Sequence, residues 1–246
     1  MEFERARRVA AEWREVDATG STNADLVAAA AAEPRLPHLT VLVTRDQRAG
    51  RGRLDRVWQA PPGSALAVSV LVRVPEVPPA SRGWIPLAAG AAMAAAVAAQ
   101  LPGRETGLKW PNDVLVDGRK ICGILAEGTA GLEAVVIGSG INTAMRAEAL
   151  PVPTATSFAA LGASCDEDAL LADYLGDLDR LLGTLADGPG AVRDTVRALC
   201  LTLGRDVTVS LPDGSALRGT ATDLDADGRL VVAGRAISAG DVVHVR

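Results

Sequence analysis

Among 25 cationic lysine and arginine side chains only two are lysine, and both fall in the stretch Lys109-Trp-Pro-Asn-Asp-Val-Leu-Val-Asp-Gly-Arg-Lys120. A lysine kept where arginine serves almost everywhere else suits a site that needs a compact ammonium charge rather than a planar fork, and phosphate and carboxylate groups are its natural partners. A second constellation is the loop Thr44-Arg-Asp-Gln-Arg-Ala-Gly-Arg-Gly-Arg-Leu-Asp-Arg-Val-Trp58, which sets Arg51, Arg53 and Arg56 beside Gly50 and Gly52. Such a loop can fold around a polyphosphate, the glycines allowing close approach and the guanidinium groups offering bidentate hydrogen bonds. A solvated basic turn explains the same composition. No Gly-Lys-Ser/Thr follows, and the third glycine of a dinucleotide fingerprint is missing. In Lys109-Trp-Pro-Asn-Asp113 an ammonium, an amide and a carboxylate lie close together, and the oxygens of Asn112 and Asp113 suit a phosphate-bound magnesium. A proline turn with a capping Asn-Asp pair is the other reading.

These groups need elements to hold them. Thr22 with Asp25 has capping-box spacing and predicts a helix starting near Ser21-Thr22-Asn23 and closed by Pro34. Residues 39–44 and 64–74 read as buried strands rich in valine and leucine, with the basic loop between them. Residues 84–101 carry strong helix formers up to Pro102-Gly103 and should pack across a sheet. Two strands, 113–116 and 120–126, meet at Asp117-Gly118, a dipeptide suited to a tight hairpin. Residues 133–141 predict another strand, and 166–185 and 190–203 predict helices. From Gly204 onward the pattern turns to short alternating strands punctuated by Asp213-Gly214, Asp227-Gly228 and Gly234, which predicts a small β-barrel. The expected architecture is therefore mixed α/β (α+β), with a domain over residues 1–203 and a barrel over 204–246.

Whole-chain properties narrow the function classes. A net charge of −5 provides no basic excess to neutralise a nucleic-acid backbone. Cys122, Cys165 and Cys200 are odd in number and lack CxxC spacing, arguing against a disulfide framework or a structural zinc site and for a reducing, cytoplasmic compartment. The N-terminus lacks an apolar signal region, and the alanine-rich segment 88–99 is too short and too weakly apolar to span a bilayer. With only His38 and His244 present, histidine-based catalysis has few members to recruit.

The order of the motifs is more specific than any one of them. Ser21-Thr-Asn23, Gln47-x-x-Gly-Arg-Gly-Arg53, Lys109-Trp-Pro-Asn-Asp113, Lys120-x-x-Gly-Ile-Leu-x-Glu127 and Gly138-x-Gly-Ile-Asn142 together resemble the biotin protein ligase family, over nearly the whole chain. The resemblance implies a catalytic domain like that of class II aminoacyl-tRNA synthetases with a mixed sheet, followed by an SH3-like C-terminal barrel. It implies a two-step reaction: ATP activates the biotin carboxylate as biotinyl-5′-AMP, and a lysine of a biotin carboxyl carrier domain of an acyl-CoA or pyruvate carboxylase then takes the biotin. Ser21, Thr22, Asn23, Gln47 and Gly123 would line the biotin pocket, and Gly50, Arg51, Gly52 and Arg53 would order over biotin and the adenylate. Lys120 would stabilise charge near the biotin carboxylate and the attacked phosphate, with Arg51 and Arg53. Arg53, Arg56, Lys109, Asn112, Asp113 and Asn142 would face ATP, with Asp113 on its magnesium ion. Trp58 and Trp110 would pack against ligand rings or, more simply, fill the core.

Three departures stand out. Asp55 occupies a position where the family loop commonly has another glycine, implying a stiffer loop or an internal ion pair. No tryptophan near Ala155-Thr-Ser157 can stack on adenine, leaving Phe158 as the substitute. About twenty residues precede Ser21, too few for the winged helix-turn-helix of the bifunctional repressor members, so a monofunctional enzyme is expected, as a monomer or weak homodimer without nucleic-acid or membrane partners. Two alternatives are weaker: a lipoate- or octanoate-type ligase with Cys122 as acyl acceptor, since Cys122 alternates with apolar neighbours and has no histidine nearby in sequence, and a noncatalytic biotin-binding regulator, against which Arg51, Arg53, Lys109 and Lys120 speak.

Overall fold

The computed structural model describes residues 3–53, 56–131, 133–211 and 213–245. In chain order the elements are α1 (Glu4–Val9), β1 (Glu12–Glu15), α2 (Thr22–Ala32), β2 (Thr40–Thr44), β3 (Gly50–Arg51), β4 (Val57–Trp58), β5 (Leu66–Arg73), α3 (Ile85–Gln100), β6 (Thr106–Lys109), β7 (Asp113–Val116), β8 (Arg119–Gly128), β9 (Ala134–Ile141), α4 (Glu167–Ala186), α5 (Gly190–Leu199), β10 (Asp206–Ser210), β11 (Ala216–Leu224), β12 (Leu230–Val232), β13 (Arg235–Ile237) and β14 (Asp241–His244). Among the described residues a seven-stranded mixed sheet runs β1-β2-β5-β9-β8-β7-β6, parallel only between β1 and β2. A five-stranded antiparallel sheet, β13-β12-β11-β10-β14, follows.

Residue parity on the central strands sorts the two faces of the large sheet. On β5, Leu66, Val68, Val70 and Val72 enter the main core with α3, α4 and α5, whereas Leu71 joins the smaller cluster under α2. Ser69 shares that second face and is fully buried. Left unpaired it would cost about 1–3 kcal/mol. Its hydroxyl instead lies 2.8 Å from Thr22 Oγ1 and 2.6 Å from Asn23 Oδ1. A polar residue in a strand of valines thus marks where the first turn of α2 docks.

The expected helices and strands are present, with shifts that have local causes. The N-cap of α2 is Ser21, whose hydroxyl accepts from Ala24 N, while Asp25 reaches back to the Thr19 hydroxyl instead of closing a capping box. The loop expected over 45–63 contains the short β3–β4 hairpin. α5 ends at Leu199, because the chain then turns to lay Leu201 N on Leu108 O beside the edge strand β6. Asp117 and Gly118, at φ 48° and 74°, make the expected tight turn between β7 and β8. By length and composition the segment Pro79–Gln100 could cross a membrane, but 67% of its apolar window is buried inside the protein, where α3 forms the centre of the core.

The C-terminal sheet is fastened by hydrogen bonds as well as by apolar packing. Trp84 Nε1 donates to Ala226 O at 2.8 Å and Trp110 Nε1 to Gly228 O at 3.1 Å, both rings being buried. Arg193 and Arg197 both pair with Asp223 on β11. Trp110 N donates to Thr202 Oγ1, which lies 3.2 Å from His244 Nε2 on β14. Burial, reinforced by the positive charges of Lys109 and Arg205, lowers the His244 pKa from 6.5 to about 4. The unfolded chain therefore binds this proton more readily than the folded one, so stability should fall as pH drops from about 6.5 toward 4. Thermal midpoints measured across that window should decline less in His244→Gln than in the wild type; equal slopes would refute the assignment.

Candidate active site

A cleft opens on the α2 face of the sheet, where β5, β8 and β9 meet the first turn of α2 and the β3–β4 hairpin. Its wall includes Ser21, Thr22, Asn23, Gln47, Arg51, Gly52, Arg53, Arg56, Trp58, Asn112, Asp113, Lys120 and Gly123. Segments distant in sequence thus converge on one cavity.

One end is polar but carries few charges. Thr22 donates to Gln47 Oε1 from its backbone nitrogen at 2.8 Å and its hydroxyl at 3.0 Å. Asn23 Nδ2 donates to Leu125 O at 3.1 Å and to Glu127 Oε2 at 2.8 Å. This floor is possible because β9 has no side chains beneath it: a Cβ on Gly138 would sit 2.3 Å from Asn23 Oδ1, and one on Gly140 2.7 Å from the Trp58 ring. The half-buried Trp58 therefore forms a wall of the cleft.

The other end is cationic. Lys120 Nζ pairs with Asp113 Oδ1 at 2.6 Å, seated over Gly123, where a Cβ would come within 2.9 Å of the ammonium. Arg53 Nη1 donates to Asn112 Oδ1 at 3.1 Å, while Asn112 Nδ2 donates to Ile124 O at 2.8 Å, so β8 fixes the amide that holds the guanidinium. Burial lowers the Arg53 pKa, partly offset by Asp113 and Asp241. Arg51 Nη2 donates to Glu127 Oε2 at 3.0 Å. Arg56 grips both oxygens of Asp241 on β14, at 2.6 and 3.2 Å, and this contact holds the Asp241 carboxyl below its usual range. Lysine and arginine here have separate geometric roles, the lysine as a point charge and the arginines as forks.

Several expected residues fall elsewhere. Gly50, Lys109 and Asn142 stand back from the cleft wall, Lys109 on β6 opposite Asp113, where its charge bears on the Asp241 carboxyl. Gly50 lies on β3 opposite Trp58, where a Cβ would come within 2.5 Å of Gln47 Nε2 and of Trp58 O, and Asn142 uses its amide to donate to Thr156 O at 2.9 Å. Trp110 and Phe158 are buried in the main core, so Phe158 offers no face for adenine to stack on. Asp55 lies outside the described residues. Cys122 is fully buried, and burial pushes its thiol far above its usual range, which removes the thiolate an acyl acceptor would need. The sequence reading missed Ser69 and Asp241, which complete the site; a buried serine in a valine strand was the one available signal for the first, and nothing local signalled the second.

Two consequences are measurable. Gly138→Ala should displace Asn23, lowering stability by about 1–3 kcal/mol as an overpacked core position does, and weakening small-ligand binding well beyond that of Gly176→Ala, on α4 in open space. Calorimetry of both variants checks this, and equal ligand affinity would refute the role of the glycine floor. Cys122 should resist a maleimide in the folded protein and react only after unfolding, and Cys122→Ala should leave ligand binding intact.

Residues 18–142 match the model of the biotin/lipoate A/B protein ligase family, and residues 202–245 match the biotin protein ligase C terminal domain. The chain is 44% identical to a biotin--[acetyl-CoA-carboxylase] ligase of Mycobacterium tuberculosis over 95% of this chain and 90% of that protein. It is also 44% identical to the bifunctional ligase/repressor BirA of Escherichia coli, but over 41% of this chain and 32% of that one. Among solved structures, the fold is similar to the Aquifex aeolicus biotin protein ligase in complex with biotin and ATP, with a TM-score of 0.79 at 23% identity and 96% and 99% of the two chains covered. The Leishmania major enzyme in complex with biotinyl-5-AMP aligns with a TM-score of 0.65 at 22% identity, covering 96% and 99%. With its fold, its converging motifs and a near-full-length relative in agreement, the chain belongs to the biotin/lipoate A/B protein ligase family.

Proposed function

We propose that this chain is an ATP-dependent biotin protein ligase that makes biotinyl-5′-AMP and passes biotin to a lysine of a biotin carboxyl carrier domain. The observation that carries the reading is the polarity of the cleft: a floor of neutral hydrogen-bonding groups at one end and Lys120, Arg51 and Arg53 at the other. The ureido ring of biotin is uncharged and rich in donors and acceptors, matching Thr22, Asn23 and Gln47, while its carboxylate reaches the cationic end.

There a carboxylate oxygen attacks the α-phosphorus of ATP, and pyrophosphate departs with the electrons of the broken P–O bond. Lys120 and the two arginines offset the charge that gathers on the phosphoryl oxygens, a role worth roughly 3–4 kcal/mol per preorganised donor. In the second step the carrier amine attacks the acyl carbon and AMP leaves. Magnesium bound with a nucleotide takes one or two protein carboxylates plus phosphate oxygens. Asp113 fits that need, since its carboxylate lines the cleft. The metal would supply charge neutralisation on the phosphates.

The carrier is best sought in acyl-CoA or pyruvate carboxylases, and the cytoplasm is the compartment in which three unpaired thiols stay reduced. Residues 1–203 would form the catalytic unit and 204–246 an accessory barrel. A lipoate- or octanoate-type reaction through Cys122 is disfavoured by the burial of that thiol.

The test is exchange of labelled pyrophosphate into ATP, with biotin, lipoate and octanoate in parallel. Exchange with biotin alone is expected, and Lys120→Ala should slow it roughly 10²–10³-fold with the fold preserved. Exchange driven only by the other acids would overturn the substrate assignment, and none with any acid would favour a binding protein.

A further inference from the structure

Glu127 does not line the cleft, yet one of its oxygens, Oε2, accepts from two of the groups that do: Asn23 Nδ2 at 2.8 Å and Arg51 Nη2 at 3.0 Å. We propose that Glu127 is a positioning residue that fixes Arg51 relative to the floor of the ligand pocket and so governs retention of the acyl-adenylate. The inference rests on the adenylation reading above and deepens it.

Asn23 is 4% exposed and immobilised from four sides: Ser69 bonds its oxygen, Leu125 O and Glu127 take its amide protons, and Gly138 presses against its tip. It is therefore a fixed reference point in the protein interior. Arg51, by contrast, sits on a two-residue strand, with its side chain 48% exposed. A guanidinium so placed has little but its ion pair to define its direction, and long cationic side chains lose much rotamer freedom when held. The Glu127 carboxylate, 27% exposed and projecting from the end of β8, carries the rigidity of Asn23 outward to Arg51. Charge matters as much as reach: a carboxylate oxygen can accept from a neutral amide and a guanidinium together, whereas a carboxamide oxygen does so more weakly.

Glu127→Gln keeps the shape and an acceptor for Asn23 while removing the charge that holds Arg51. It should fold with an unchanged thermal midpoint. The fraction of acyl-adenylate lost to hydrolysis rather than transferred to a carrier peptide should rise roughly five- to tenfold, the weight of one partly exposed charge-assisted hydrogen bond. In an Arg51→Gln background the same change should add nothing, because its effect passes through Arg51. Glu127→Asp, charged but one methylene too short to span both partners, should leak like Glu127→Gln. The proposal is overturned if hydrolytic loss stays at the wild-type level in both variants, or if the effects of positions 51 and 127 simply add. A wild-type protein that forms no acyl-adenylate would instead sink the adenylation reading, an outcome visible before any variant is made.

Discussion

The buried amide of Asn23 is the constraint around which the cleft is organised. A polar side chain held at 4% exposure demands partners for every donor and acceptor, and it finds them on two strands, Ser69 on β5 and Leu125 O and Glu127 on β8, with the bare backbone of Gly138 on β9 leaving it room. Once those bonds are made, α2 has one position on the sheet, and Ser21, Thr22 and the Gln47 amide follow. Glycine on β9 is required by the same bond network, since any side chain at 138 would occupy the volume Asn23 uses. The pocket is thus a by-product of burying polar groups completely, which is why it stays rigid enough to discriminate a ligand.

The cationic end obeys a different rule. Lys120, Arg51, Arg53 and Arg56 would repel one another in a half-buried cleft, and each is held by its own partner: Asp113, Glu127, Asn112 and Asp241. For Arg53 that partner is a neutral amide, and burial lowers its pKa. An incoming phosphate would give it a direct ionic partner in addition to the more distant charges of Asp113 and Asp241.

How much of this was legible in the sequence depended on whether the information was local. The strands of the central sheet, α3 and the Asp117-Gly118 turn follow from residue periodicity and turn chemistry, and the motif order pointed to the family. Contacts between distant segments were not legible. Asp241 belongs to a segment that reads as one more short strand, and only folding brings it against Arg56, 185 residues earlier. Lys109 and Asn142 share motifs with wall residues, yet neither lines the cleft itself: Lys109 lies opposite Asp113 on the edge strand β6, one strand farther out, and Asn142 gives its amide to Thr156. Motif membership gives proximity along the chain, whereas the wall of a site is decided by which strands folding brings together around it.

That distinction also explains the place of the C-terminal sheet. Its apolar interior would allow many relative orientations, but Trp84 and Trp110 fix it with ring nitrogens that must reach the carbonyls of Ala226 and Gly228. A Cβ on Gly83 would come within 2.4 Å of Asp227 O, so the two backbones meet without an intervening side chain. With orientation set at that seam, β14 arrives beside the cleft and Asp241 anchors the arginine of the basic hairpin. The small sheet therefore contributes Asp241 to the wall of the charged end, and the hairpin is held from both sides: by Glu127 from the large sheet and by Asp241 from the small one.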